Sequence, residues 1–369
     1  MTLMLSSLAS PPQKWPASVL VLIITTMAVL LFRYASRPAW HPQAPKALSG
    51  WPVLGSPGFF RNRWSFLRRH ASATASGHFS FFYGPHSIVA LSGTAARQTF
   101  FTSRSLDLNE GSHFVSLFKR FTHKDRLEAN LATLVNDCVT SYEEMDTRAP
   151  LDPFNTLYRL VYKLTLRTLG TNDVADSPAL LDETLKIFTT MDDSSALEVM
   201  FPRMPLPSRL SKMWAGARLH LIFSKIMDQR RKTGRTEDDA MQSMMDTGDD
   251  EIIISAFIMA ALFAGLINTG VIAAWILLYL GKSQEWYHKI RDEVDASVAK
   301  HRCSGRESRA DVLSRLTMSE WEHEFPLIDL CLRESIRLTM PGSTFRKNTS
   351  GKDVQIGNSD EIIPKDSFV

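Results

Sequence analysis

Two long uncharged runs stand out along this chain: Ala17–Phe32, sixteen positions, and Ile252–Leu280, twenty-nine positions. Elsewhere apolar residues recur at three- and four-residue spacings. That pattern predicts amphipathic helices over Lys124–Met145, Asp152–Leu169, Pro178–Met191 and Ser208–Arg231. Asp152-Pro153 supplies a cap and first turn for the second of these, and Gly170 a stop. The aromatic and β-branched runs His78–Tyr83 and Ser87–Leu91, separated by Gly84-Pro85, predict a hairpin. Strand signals return near the carboxy end, at Ser343–Thr349, Lys352–Ile356 and Glu361–Ile363. The fold class is mainly α, of the α+β type.

The first uncharged run reads as a membrane anchor. With Trp15 and Pro16 it reaches eighteen residues, the short end for a spanning helix. Trp15 and Tyr34 flank it as interfacial aromatics do, and Arg33, Arg37 and Lys46 follow it where only Lys14 precedes. A cleaved signal peptide would carry a charged start and a shorter apolar core. The expected layout is a short lumenal tail at 1–16, a transmembrane anchor at 17–33, a proline-rich hinge at 34–55 and one large cytoplasmic domain at 56–369. Prolines at the density of 38–52 stop helix continuation and stiffen the hinge. Phe201–Pro207, apolar and basic with three prolines, reads as a helix connection, with contact to a membrane surface as the alternative.

Hydropathy alone would make the second run another span, of roughly 44 Å. Asp249-Asp250-Glu251 places negative charge at the positive end of this helix, and Gly281 is expected to close it. Ala261, Ala264, Gly265, Asn268, Thr269 and Ile272 follow helical spacings and so are expected to share a face. A narrow polar notch beside a glycine suits a ligand or cofactor lying against a core helix. In Leu327–Leu338, Glu334 falls on the apolar stripe of Leu327, Cys331 and Leu338. A carboxylate on a buried stripe needs a partner, and Arg337 lies one turn on.

Composition adds bounds rather than chemistry. Hydrophobic content of 44% and charge content of 22% are ordinary for a globular protein, and a net charge of +3 is too small to suggest nucleic acid. Basic clusters at Arg61–Arg69, Lys119–Arg126 and Lys225–Arg235 read as solvated helix faces. Cys138, Cys303 and Cys331 are odd in number and far apart, which implies no disulfide framework and a reducing compartment. No short metal, nucleotide or hydrolase motif is present, and no metal-ligating set is expected.

Taken in order, these features carry a family resemblance. A central helix with Ala264-Gly265 and Asn268-Thr269, a connecting helix through Gly281–Trp286 and Ile290–Val294, Glu334 with Arg337, and then Pro341, Arg346 and Ile363-Pro364-Lys365 resemble the I, J and K helices and later landmarks of cytochrome P450 monooxygenases. The anchor and hinge resemble those of the endoplasmic-reticulum members. The resemblance implies haem as cofactor, with Ala264 and Gly265 against it and Arg346 facing a propionate. It also implies Asn268 and Thr269 at the catalytic position, and Glu334 with Arg337 as a structural brace. The implied activity is oxidation or hydroxylation of an apolar small molecule such as a sterol, terpenoid or other secondary metabolite. An NADPH-dependent reductase and an endoplasmic-reticulum membrane location follow from the same resemblance.

Two departures qualify it. Aligned on Ala264-Gly265, the acidic position of the family's acid–alcohol pair is Ile267 and the alcohol position is Asn268. This variant resembles the sterol 7α-hydroxylase and prostacyclin synthase branch, which leaves an isomerase reaction open beside hydroxylation. In this family the iron-ligating cysteine lies in a loop well past the K helix, and the three cysteines here lack that context. The expectation is a P450 fold lacking its C-terminal haem-ligand segment and inactive as written. The tryptophan and arginine of the family's C helix are not recognisable; Lys124 and Arg126 read as a solvated helix start, with substitution for that pair as the alternative. A non-enzymatic membrane protein with two spans is the alternative of another class.

Overall fold

The hairpin predicted around Gly84-Pro85 is present in the computed structural model. That model describes residues 19, 21–22, 24–26, 29, 39–107, 113–145, 148, 150–192, 196–201, 204, 206–339 and 344–369. Most of the expected anchor at 17–33, and Pro341, lie outside the described residues. The chain divides into two units, one of residues 1–111, 195–204 and 344–369, the other of 112–194 and 205–343.

In the first unit, β1 (Phe79–Tyr83) pairs antiparallel with β2 (His86–Ala90), and Tyr83 opposite His86 leaves Gly84-Pro85 as a two-residue turn. Gly84 has φ +52°, and a Cβ there would lie 2.5 Å from the Met200 carbonyl oxygen, so the turn requires glycine. All five positions of β1 are buried instead of alternating. The segment before it supplies the reason: Leu48 N–H donates to Ser80 O at 2.7 Å and Ser80 N–H to Lys46 O at 3.0 Å, making β1 a central strand. Phe59, Phe79, Phe81, Tyr83 and Ile88 form its aromatic core.

The carboxy-end strand signals shrink to two-residue ladders. β3 (Leu106–Asp107) pairs with β4 (Lys347–Asn348), and β5 (Val354–Gln355) with β6 (Ile362–Ile363). The buried Asn348 amide donates to the carbonyls of Lys352 at 2.7 Å and of Ile363 and Pro364 at 3.2 Å, doing with a side chain what a longer ladder would do.

The second unit is helical. Its long elements are α1 (Lys124–Glu143), α2 (Pro153–Leu169), α3 (Pro178–Asp192), α4 (Pro207–Thr233), α5 (Glu251–Gly265), α6 (Val271–Lys282), α7 (Gln284–His301) and α8 (Pro326–Thr339). The first four agree with the periodicity to within two residues. Asp152 caps α2 by accepting from Phe154 N–H at 2.9 Å, with Pro153 in the first turn. Asp250 caps α5 by accepting from Ile252 N–H at 2.7 Å. Leu166, Phe188, Phe223, Met227 and Phe257 lock α2, α3, α4 and α5 into one core.

Two expectations are corrected here. Gly281 does not close the long helix, because α6 runs on to Lys282 and Ser283 is its cap. Nor is the basic run Lys225–Arg235 wholly a solvated face. Arg230 is 1% exposed, the bulkiest fully buried side chain among the described residues, and donates to Asp239, Asp173, Thr171 and Gln242. A cation on that face is stable only because two carboxylates fold over it.

Candidate functional site

The long uncharged helix is not one uninterrupted α-helix. Between α5 and α6, residues Leu266–Gly270 form a π turn. A π turn inserts a residue into the hydrogen-bond ladder, and such insertions recur at functional sites. Its effect is visible in the glycines on either side. A Cβ on Gly265 would lie 2.5 Å from Thr165 Oγ1, and one on Gly270 would lie 3.8 Å from Val161 Cβ, so both face α2. Five residues along a plain α-helix would turn about 140° away.

The inserted residue divides the face expected from straight α-helical spacing. Ala261 and Ile272 are buried, and Gly265 packs against Thr165, whereas Ala264, Asn268 and Thr269 are exposed together. Asn268 Nδ2 donates to the Ala264 carbonyl at 2.8 Å, which ties the polar side chain back across the turn. Among the described residues the Thr269 hydroxyl has no hydrogen bond. The outcome is a short open strip with a methyl group, an amide and a hydroxyl, backed by packed core.

Glu334 and Arg337 do pair, through Nε at 2.8 Å and Nη2 at 2.6 Å, and Arg337 holds the Glu334 carboxyl below the usual range. Leu327 and Cys331 on that stripe are half-buried, but Glu334 and Leu338 are exposed, so the expected buried pair is a surface pair. The helical period was right; the burial inferred from it was not. Cys331 and Glu334 line an apolar cleft of about 600 Å³ with Ile276, Tyr279, Trp286 and Leu338, between α6, α7 and α8. Neither Asn268 nor Thr269 lines it.

The other cysteines have different surroundings. Burial, then Asp137, pushes the Cys138 thiol up, and the exposed Cys303 lies beside Arg315. In the first unit, Arg346 donates to the Phe100 carbonyl and lies over the Phe100 ring, and its buried Nε has no partner among the described residues. That orphan donor fits an acidic group such as a propionate. Lys124 pairs with Glu322 at 3.3 Å as a surface residue should. Arg126 instead lies over Phe121 with Nε and Nη2 buried, correcting its assignment as solvated.

A search against family models matches residues 112–369 to the cytochrome P450 model. The chain belongs to the cytochrome P450 family. Among curated P450 relatives it is 26% identical to cytochrome P450 monooxygenase AacuE of Aspergillus aculeatus, covering 95% of this chain and 76% of that one. It is 29% identical to cytochrome P450 monooxygenase claM of Passalora fulva, covering 94% and 70%. Among solved structures, retinoic-acid-bound cyanobacterial CYP120A1 matches with a TM-score of 0.66 at 19% identity, over 88% of this chain and 76% of that one. At that identity the last match speaks to the fold. The chain is thus a mainly helical member of the cytochrome P450 monooxygenase family.

One cluster in this P450 was silent in sequence. His301, Glu320 and Glu324 present nitrogen and oxygen atoms within 4.8 Å of one another. Lys300 already occupies Glu324 at 2.6 Å, and Glu320 accepts from Thr317 N–H at 2.7 Å, so their charge is spent within the protein. Lys300 foremost, then His301, hold the Glu324 carboxyl down to about 2, from 4.5. A depressed carboxylate pKa stabilises the fold above about pH 4.5, and that contribution fades as pH falls toward 2. Glu324→Gln is therefore expected to lower the melting temperature at pH 7 and to show a smaller deficit at pH 3. Melts at the two pH values check this, and an equal deficit at both would refute it.

Proposed function

We propose that this P450 oxidises an apolar small molecule, of the sterol, terpenoid or other secondary-metabolite type, against the wall formed by the π turn. The observation that carries the reading is that the π turn leaves Ala264, Asn268 and Thr269 exposed midway along a helix whose neighbouring Ala261, Leu266 and Ile272 are buried. Ala264 presents a methyl group where a flat ring can approach, which fits the haem expected of the family. When bound, the haem supplies the oxygen-activating iron; none of the described cysteines is assigned as its ligand.

What the chain's own residues do follows from the geometry. Asn268 is fixed by its bond to Ala264, so its remaining amide atoms keep a constant direction. The Thr269 hydroxyl can give or take a proton from a water or from a polar atom of the substrate. Ile267 offers no acid beside them. The wall orients and excludes water more than it relays protons. Electrons would come from an NADPH-dependent reductase, and the anchor at 17–33 would hold the protein in the endoplasmic-reticulum membrane with its bulk in the cytoplasm.

The test is a reduced carbon-monoxide difference spectrum of the protein expressed from its own gene in microsomes with a reductase. A thiolate-type Soret band and product from an apolar substrate support the reading; failure to take up haem sinks it. With haem in place, Asn268→Ala is expected to cut turnover roughly tenfold, about 1.4 kcal/mol in the barrier, with the spectrum unchanged. Product formed per haem measures it, and unchanged turnover would exclude Asn268 from the site.

A further inference from the structure

Three hydroxyls among the described residues lie three positions after an arginine: Ser72 after Arg69, Thr233 after Arg230 and Thr349 after Arg346. The fold treats the three arginines differently. Arg230 is 1% exposed and donates to Asp173 and Asp239, and Arg346 is committed to the Phe100 carbonyl. Arg69 is exposed, as are Arg68 beside it and Ser72 itself, and neither arginine forms an ion pair among the described residues. From Met1 to Leu106 the chain has ten lysines and arginines and no acidic residue, so no neighbour in sequence competes for Arg69.

We infer that Ser72 is phosphorylated by a basophilic protein kinase, one whose acidic groove takes an arginine three residues before the acceptor. Opposite charge across that contact selects the site and speeds encounter. Ser72 ends the helix Arg63–Ala71: its N–H donates to the Arg68 carbonyl and its hydroxyl to the Arg69 carbonyl at 3.0 Å. The segment after it, 73–77, is Ala-Thr-Ala-Ser-Gly, held by turn bonds of 3.2–3.4 Å from Ala73 to His70, Thr74 to Ala71 and Gly77 to Thr74. Such short-range bonds open locally, which lets a kinase draw the acceptor into an extended chain. In the transfer Ser72 Oγ bonds to the γ-phosphorus of ATP and the bond from that phosphorus to the bridging oxygen breaks. ADP leaves, and the hydroxyl proton passes to the kinase's aspartate. The new phosphate meets the negative end of the helix dipole, but Arg68 and Arg69 in the last turn offset it with charge-assisted N–H donors.

The inference needs neither haem nor an oxidation substrate, so it can fail apart from the reading above. The full chain in detergent is incubated with ATP and activated calmodulin-dependent protein kinase II, beside free peptides 66–77, 227–238 and 343–354. Site-localised mass spectrometry reads phosphate at Ser72, Thr233 and Thr349, each relative to its own peptide. Ser72 in the folded chain is expected to be labelled within about threefold of its peptide rate, and Thr233 and Thr349 at least about tenfold below theirs, since those arginines are reached only by local unfolding. Arg69→Gln is expected to cut labelling of Ser72 roughly tenfold with the thermal melt unchanged, because the lost contact is a charge-assisted one made in the kinase. Ser72→Ala should remove the label without moving it to Thr74 or Ser76. A labelled peptide 66–77 beside an unlabelled Ser72 in the chain overturns the inference. So does a peptide 66–77 that takes no phosphate, equal labelling of all three sites in the chain, or a rate that Arg69→Gln leaves untouched.

Discussion

Arg230→Ala should remove most of the stability of the helical unit. The guanidinium is 1% exposed and Asp239 is 0% exposed. Arg230 Nη1 donates to Asp239 Oδ1 at 3.0 Å, Nη2 to Asp239 Oδ2 at 2.5 Å and to Thr171 Oγ1 at 3.0 Å, and Nε to Asp173 Oδ2 at 3.0 Å. Deleting the cation leaves a buried carboxylate that cannot swing to solvent. Asp239 is also held by Asn172 N–H at 2.9 Å and by Gln242 N–H at 2.8 Å, where it caps the helix Ala240–Asp246. Breaking one side of such a pair costs about 3–5 kcal/mol, out of a typical total of about 5–15 kcal/mol. The melting temperature should fall by roughly 10 °C or more. Arg230→Lys should recover little, since one ammonium cannot span Thr171, Asp173, Asp239 and Gln242 in a plane. Arg230→Ala/Asp239→Asn should be milder than Arg230→Ala alone, because the amide keeps an acceptor for the cap without a stranded charge. Thermal melts of the four proteins rank them; a drop under about 2 °C for Arg230→Ala would mean that the network is not a structural support.

The same residue shows where sequence reading stops. Helix ends set by neighbours a few positions apart were legible: Asp152-Pro153, Asp250 before the uncharged run, the glycine-proline turn of the hairpin. Each is a local contest between backbone and side chain that the chain itself decides. Arg230 looked like one more charge in a basic run because Asp173, fifty-seven residues away, is what turns it inward. Glu334 failed in the opposite sense. Periodicity states which residues share a face, and the pairing with Arg337 was right, but periodicity does not state what covers the face. The order of motifs was specific enough to indicate the P450 family, since it is a property of the whole chain rather than of any packing detail. The π turn was illegible for a physical reason: its hydrogen bonds are poorer than those of an α-helix, so a close neighbour must favour it.

That neighbour is α2, and Gly265→Ala tests its role. Helix propensity alone favours alanine by about 1 kcal/mol. Here the new methyl would lie 2.5 Å from Thr165 Oγ1 and 3.1 Å from its Cγ2. Thr165 cannot give way. Its χ1 is stiff because it is β-branched, its hydroxyl donates to the Val161 carbonyl at 2.7 Å, and the side chain is 7% exposed in the core. The clash should outweigh propensity, for a net loss of about 1–2 kcal/mol within the usual range for overpacking. Thr165→Ala removes both obstructing atoms, so Gly265→Ala/Thr165→Ala should recover most of the loss, with a coupling of at least about 1 kcal/mol in the double-mutant cycle. Denaturant melts supply the cycle, and hydrogen exchange over 264–270 reports the turn itself. If α2 is what holds the π turn, exchange there should quicken in Gly265→Ala and slow again in the double variant. Additive effects in the cycle would place the cause of the turn elsewhere, leaving Asn268 and its bond to Ala264 as the element that holds the strip in register.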